Sequence, residues 1–250
     1  MQRYFVETQL NSQMRVELSP EDSHHLFTVM RANIGETLEL VDKTQHVWLA
    51  EVEEIYSKKS GLLKVIKPLE IPQIELPIQV TIACGLSKND KFDWIVQKAT
   101  EMGMTHFQPL ALSRDVVKWA ANKQVDKIDR LQKIANNAAQ QSKRLRQPDI
   151  LPVRTLKEFI HTCPQESVKL VAFEETAKEG QHGALKQALT QALPGDHLIM
   201  VFGSEGGLEI SEVELLQRSG FEACSLGPRI LRAETAPLYA LAAISYHYEL

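Results

Sequence analysis

The stretch HLIMVFGSEGGLEISEVELLQRSGFEACSLGPRILRAETA, residues 197–236, decides the fold class. It opens on a short apolar run, 197–203, with the length of a strand buried on both faces. Gly203-Ser204-Glu205-Gly206-Gly207 breaks that run, and a helical segment follows at about 211–218. A second apolar run, FEACSL (221–226), leads into LGPRILRAETA (226–236). A last helix starts near Glu234, with Pro237 in its first turn, where a missing N–H does no harm. Strand, loop, helix, strand, loop, helix implies an α/β fold, a parallel sheet covered by helices. Periodicity by itself suggests an unknotted doubly wound sheet, because knots are rare.

Upstream the alternation continues. IQVTIACGL (78–86), HFQPLAL (106–112) and VKLVAF (168–173) read as strands, and about 181–193 as a helix. Ser87 to Met102 reads as a helix, with Ser87 and Asp90 as its capping box, Phe92, Ile95, Val96 and Ala99 on its apolar face and Gly103 as its end. A longer helix is expected over Asn122–Ser142. Ile128, Leu131, Ile134, Ala135 and Ala138 fall on one face, and Lys123, Lys127, Arg130 and Lys133 on the other.

The first seventy residues are different. Arg3–Thr8, Met14–Leu18, Thr37–Val41, Val47–Ile55 and Leu62–Val65 are short, partly alternating runs, and one short helix fits at Asp22–Arg31, with Asn33-Ile34-Gly35 as its turn. This is the pattern of a small barrel. KPLEIPQIELP, with Pro68, Pro72 and Pro77, reads as a linker. Two domains are expected, 1–73 and 74–250.

Composition bounds the function. The chain has 250 residues, 44% hydrophobic and 24% charged, which excludes a disordered protein. The net charge is −4, which alone counts against a nucleic-acid partner. The distribution says more: residues 112–147 carry 9 Lys+Arg against 3 Asp+Glu, a local excess of +6, while 1–73 hold 8 against 11 and 148–250 hold 8 against 14. Phosphate contacts need only such a patch, though a solvated helix face accounts for it equally simply. Cys84, Cys163 and Cys224 are too few and too scattered for a disulfide framework. MQRYFVETQLNSQMRVE has no apolar segment of a signal peptide, and the apolar stretch at 237–244 is too short for a bilayer. A cytoplasmic protein with no membrane partner is expected.

Two stretches can carry chemistry. In 203–207 the glycines admit a ligand close to the backbone, ahead of a helix N-terminus. The loop is neither a Walker loop nor G-x-G-x-x-G, and a plain glycine-rich turn explains the glycines as well. In 226–236, Gly227-Pro228 makes a rigid turn, and Arg229, Arg232 and Glu234 follow just beyond a strand end, where ligands bind in open α/β sheets. A surface Arg232–Glu234 pair with Thr235 capping the helix is the plainer alternative. No set of the eight histidines, His24-His25 included, has ligand spacing with a third partner, so no metal is expected. Gly-Ser204-Glu-Gly-Gly is not a hydrolase elbow.

Together the two stretches resemble the RsmE (YggJ) family of ribosomal RNA uridine methyltransferases, of the SPOUT class. GSEGG at 203–207 matches the family's Gly-Pro-Glu-Gly-Gly, and LGPRILRAETA matches Leu-Gly-x-Arg-Ile-Leu-Arg-x-Glu-Thr-Ala. MQRYFV (1–6), HHLFTVMR (24–31), KNDKFDWIVQKATEMGM (88–104), AAQQSKR (138–144) and VAFEE (171–175) also agree, so the resemblance covers nearly the whole chain. The chain departs at Ser204 (usually Pro), Gln140 (usually Glu, so given no catalytic role), 112–117 and Pro237.

The resemblance implies a trefoil-knotted parallel sheet over 74–250 behind a PUA-like β-barrel. It implies S-adenosylmethionine as cofactor, held by Ala172, Phe173, Phe202, Gly203, Glu205, Gly206, Gly207, Leu226, Gly227, Ile230, Leu231, Thr235 and Ala236. It implies N3 of a uridine in 16S ribosomal RNA, free or in the assembled small subunit, as acceptor, and a homodimer. Arg232 is the candidate for stabilising the uracil anion, with Glu234 orienting it. Arg3 and Arg31, with the basic Lys143, Arg144 and Arg146, are candidates for RNA contacts. Other readings are a different SPOUT methyltransferase, a non-catalytic RNA-binding protein, and a dinucleotide enzyme, which ACGLSKND, with its single glycine, disfavours.

Overall fold

The computed structural model describes residues 1–88, 90–173 and 183–250. Glu174 and Glu175 of VAFEE, Asn89, and the first residues of the helix expected at 181–193 lie outside them. The chain divides into two compact units, Met1–Glu75 with Ala139–Arg146, and Leu76–Ala138 with Gln147–Leu250.

In the first unit, β1 (Arg3–Phe5), β2 (Arg15–Val16), β3 (Thr37–Val41), β4 (Val47–Ser57) and β5 (Ser60–Leu69) form one sheet in the order β1-β3-β4-β5-β2. Only the β1–β3 pair is parallel. Three register shifts along β4–β5, the first between Leu49 and Ala50, let these long strands bend. Tyr4, Leu26, Leu38, Leu40, Leu63 and Val65 close a separate core. The helix expected at 22–31 lies two residues earlier and is composite: α1 (Pro20–His24) starts at a Ser19 cap and runs into one π turn, His25–Val29. The linker also begins later than the prolines suggest. β5 runs through Pro68, which faces Trp48, while β2 pairs only with Leu63 and Lys64. Pro68 therefore lies where a missing donor is tolerated.

The second unit holds a parallel sheet ordered β12-β10-β11-β6-β7-β8, with β9 also pairing with β7. Its strands are β6 (Gln79–Gly85), β7 (His106–Ala111), β8 (Asp149–Ile150), β9 (Arg154–Thr155), β10 (Val168–Ala172), β11 (His197–Phe202) and β12 (Glu222–Cys224). Its helices are α2 (Lys91–Glu101), α3 (Ala121–Gln141, the last residues belonging to the first unit), α4 (Leu156–Thr162), α5 (Ala184–Gln191), α6 (Ile210–Arg218) and α7 (Thr235–Glu249). Side chains alternate faces along a strand. Leu198, Met200 and Phe202 of β11 accordingly join a core with α2, α3, α5 and α7, while Ile199 and Val201 join one with α4 and α6. That two-sided burial explains the unbroken apolar run at 197–202.

Helix α2 starts at Lys91, not Ser87. Ser87 Oγ donates to the Gly85 carbonyl at 3.3 Å, and Asp90 makes no side-chain cap bond. The expected Ser87–Asp90 capping box is therefore absent. β6, β7 and the short strands after it run outward on one side. β10, β11 and β12 lie on the other and end side by side at one edge.

Candidate active site

The end of β10 at Ala172–Phe173 and the loops after β11 and β12 enclose a cavity of about 910 Å³, within the range of small-molecule sites. Ala172, Phe173 and Phe202 supply strand ends, 203–207 one wall and 225–233 another. Tight turns build both walls. Gly207 N–H donates to the Ser204 carbonyl at 2.9 Å, and Ser225 Oγ accepts from Gly227 N–H at 3.1 Å. Gly207 and Gly227 have φ of 72° and 109°, where a side chain is strained. Gly206 lies against segment 112–115: a Cβ there would come within 2.4 Å of the Arg114 carbonyl. Asp115 anchors that segment, its Oδ2 accepting from Leu112 N–H at 2.8 Å and Leu86 N–H at 3.2 Å. Burial pushes the Asp115 carboxyl above its ordinary value, against the lowering effect of those bonds.

The charged group of the site is organised by Lys91, in the first turn of α2. Its Nζ lies 3.0 Å from Glu205 and 3.1 Å from Glu234. Glu205 Oε1 also accepts from Lys88 N–H at 3.2 Å. Burial pushes the Glu205 carboxyl up, but Lys91 and backbone N–H groups outweigh it and hold it below the usual range. For Glu234 the same upward push is outweighed by a backbone N–H, by Lys91 and by the field of Arg232. Lys91 in turn is held above its ordinary value by the two carboxylates, against burial. Sequence reading passed over Lys91. A signal was available: a lysine at a helix N-terminus opposes the macrodipole, so it needs acidic partners from elsewhere.

Of the residues expected at the cofactor site, Ala172, Phe173, Phe202, Gly203, Glu205, Gly206, Gly207, Leu226, Gly227, Ile230, Leu231 and Ala236 line the cavity. Thr235 starts α7 outside the lining. Arg232 lines it, exposed, whereas the Glu234 carboxylate is joined to Lys91 and bears on Arg232 through its field. Arg114, Arg229 and Lys91 add positive charge to the rim. Cys84 and Cys224 are buried, and burial pushes both thiols up, leaving neither as a nucleophile. Among the described residues no His/Cys/Asp/Glu cluster could hold a metal, and no helix is long and apolar enough to cross a membrane.

The candidate RNA-contacting residues are all in the first unit, and two of them are buried. Arg3, 5% exposed, is paired to Glu39 at 2.8 Å and also donates to the Lys143 carbonyl. Arg144, 4% exposed, is paired to Glu75 at 2.6 Å. These two pairs fasten 139–146 to the rest of the first unit. Lys143 shares in the fastening, 3.1 Å from Glu39. Gln140 donates to Asp22 at 2.7 Å. Arg31 is exposed and Arg146 half-exposed, so both stay open to a ligand.

Residues 74–245 match the RNA methyltransferase domain family, and residues 18–66 match the RNA methyltransferase PUA domain family. The chain is 39% identical over 253 residues to the ribosomal RNA small subunit methyltransferase E of Bacillus subtilis, covering 100% of this chain and 98% of that protein. It is 33% identical over 231 residues to the protein of the same name from Synechocystis, covering 92% and 72%. It is similar to the crystal structure of the Neisseria gonorrhoeae ribosomal RNA small subunit methyltransferase E bound to S-adenosyl methionine, with a TM-score of 0.85 at 28% identity over 98% and 97% of the two chains.

Proposed function

The chain belongs to the ribosomal RNA small subunit methyltransferase E family, and we propose that it methylates N3 of a uridine in 16S ribosomal RNA, using S-adenosylmethionine. One observation carries the reading: the ends of three neighbouring parallel strands converge on one cavity, walled by the motifs at 203–207 and 226–236. Its size and its backbone-rich, largely apolar walls fit a nucleoside with a short side chain. When bound, S-adenosylmethionine supplies a methyl group on a positive sulfur that leaves readily.

The protein's part is then to bind, align and exclude water. Ala172, Phe173, Leu226 and Ala236 offer apolar surface for the adenine, and the turns at 203–207 and 225–227 offer backbone groups that read its edges. The acceptor nitrogen lies between two carbonyls and is a weak nucleophile until it loses its proton. Arg232, exposed on the cavity wall, stabilises the anion through a carbonyl oxygen, and Glu234 shapes the field around it. The acceptor base is unstacked to reach the cavity. Arg31, Arg146 and the α3 cations Lys123 and Lys127 contact phosphate.

We also assign a homodimer. Helix α7 buries Pro237, Ala240, Leu241 and Ile244 yet leaves Tyr239 and Tyr246 exposed, at 43% and 72%. A helix apolar on all sides is one that is covered on all sides, and a second copy supplies the cover.

Calorimetry with S-adenosylmethionine and NAD at equal concentration tests the donor assignment. The methyl donor alone should bind; binding of neither would put an RNA-binding protein without catalysis in its place. Mass mapping of treated 16S ribosomal RNA and of intact small subunits should then place one new methyl on uracil N3.

A further inference from the structure

The structure holds one charged arrangement that the reaction does not require for chemistry. Lys91 Nζ stands between carboxylates from two separate loops, 3.0 Å from Glu205 and 3.1 Å from Glu234. Those loops form the two walls of the cavity, and the lysine belongs to neither, being fixed to α2. Helix α2 is itself rigidly seated, with Phe92, Ile95, Val96 and Ala99 in the core. Glu205 binds the segment before α2 a second time through Lys88 N–H. The 203–207 wall also has an independent support from Gly206 against Arg114. The 226–234 wall has less: Arg229, Ile230 and Arg232 are all exposed, Ile230 by 81%. Without Lys91, Glu205 and Glu234 would face each other as like charges.

We propose that Lys91 is a positioning residue that clamps the Gly203–Gly207 loop, through Glu205, to the Gly227–Glu234 loop, through Glu234, and so fixes the wall carrying Arg232. This deepens the methyltransferase reading and rests on it for the identity of the ligand. The three side chains are 29%, 24% and 22% exposed, so salt screens the clamp only in part.

Amide hydrogen exchange on the free protein reads the clamp without any ligand. In Lys91→Met, exchange in 227–234 should rise at least fivefold, that in 203–207 less, and that in β6 and β11 not at all. Lys91→Arg should restore protection. The same two variants are titrated with S-adenosylhomocysteine, expecting about a tenfold weaker Kd for Lys91→Met and less than threefold for Lys91→Arg. Glu234→Gln, which keeps the side-chain volume, should loosen 227–234 alone and serves if Lys91→Met does not fold. Unchanged exchange in 227–234 for Lys91→Met, or for Glu234→Gln in its place, overturns the clamp. Failure of the unaltered protein to bind S-adenosylhomocysteine or S-adenosylmethionine overturns the methyltransferase reading instead, and the exchange result still decides on the clamp.

Discussion

At the scale of residues, the two catalytic candidates prove unlike. Arg232 is an exposed guanidinium on the cavity wall, whereas Glu234 is tied to a lysine more than a hundred positions earlier. Arg232→Ala should therefore lower turnover by about 10²-fold, the cost of losing one charge-stabilising donor, and leave the Kd for S-adenosylmethionine within about threefold. Single-turnover methylation beside calorimetry separates the two quantities, and equal losses in both would remove Arg232 from this role. Glu234 was legible in its motif, but its partner was not, because an ion pair across the fold leaves no trace in local spacing. Arg3 and Arg144 show the same limit: an arginine looks solvated in the sequence until the fold supplies Glu39 and Glu75.

Among elements, the strands and long helices were readable because burial on both faces writes unbroken apolar runs, and a helix writes its 3.6-residue stripe. The short pieces were not. β8 and β9 have two residues each and carry no periodicity. Helix α4 was missed although Thr155 and Glu158 form a reciprocal capping box, with Thr155 N–H donating to Glu158 at 2.8 Å. At the opposite edge of the sheet from the cavity, His197 at the start of β11 bonds Thr81 Oγ1 at 2.7 Å. Burial, then the neighbouring His106, pushes it down to about 4 from 6.5. The folded state thus holds His197 neutral. Its contribution is complete above pH 6.5 and is lost as pH falls from 6.5 towards 4, because the unfolded chain takes up the proton first. Urea unfolding between pH 7 and 4.5 should show stability falling with acid, with a shallower slope in His197→Gln. Equal slopes would show that His197 is not the group responsible.

For the whole molecule, α7 makes the strongest demand. Its sequence, TAPLYALAAISYHYE, is apolar from Ala236 to Ile244, and one core cannot face every side of a helix. Tyr246→Glu places a charge on the exposed side without touching Ala240, Leu241 or Ile244. Light scattering should show a dimer for the natural sequence and a monomer, still folded, for the variant. A natural protein that is monomeric at micromolar concentration would remove the dimer and leave the exposed tyrosines to another partner.

The sequence by itself determined the parallel α/β class, the β-rich N-terminal part, the two loops that wall the cavity and, through the 226–236 motif, the family. Each of these is written in contiguous residues, as a period, a glycine turn or an eleven-residue match. Only the tertiary structure decided which strands are neighbours, that α2 starts at Lys91, that residues 139–146 belong with the N-terminal unit, and that Lys91 joins Glu205 to Glu234. Those features depend on atoms brought together across long stretches of chain. Packing and charge pairing select them, and no local pattern encodes them.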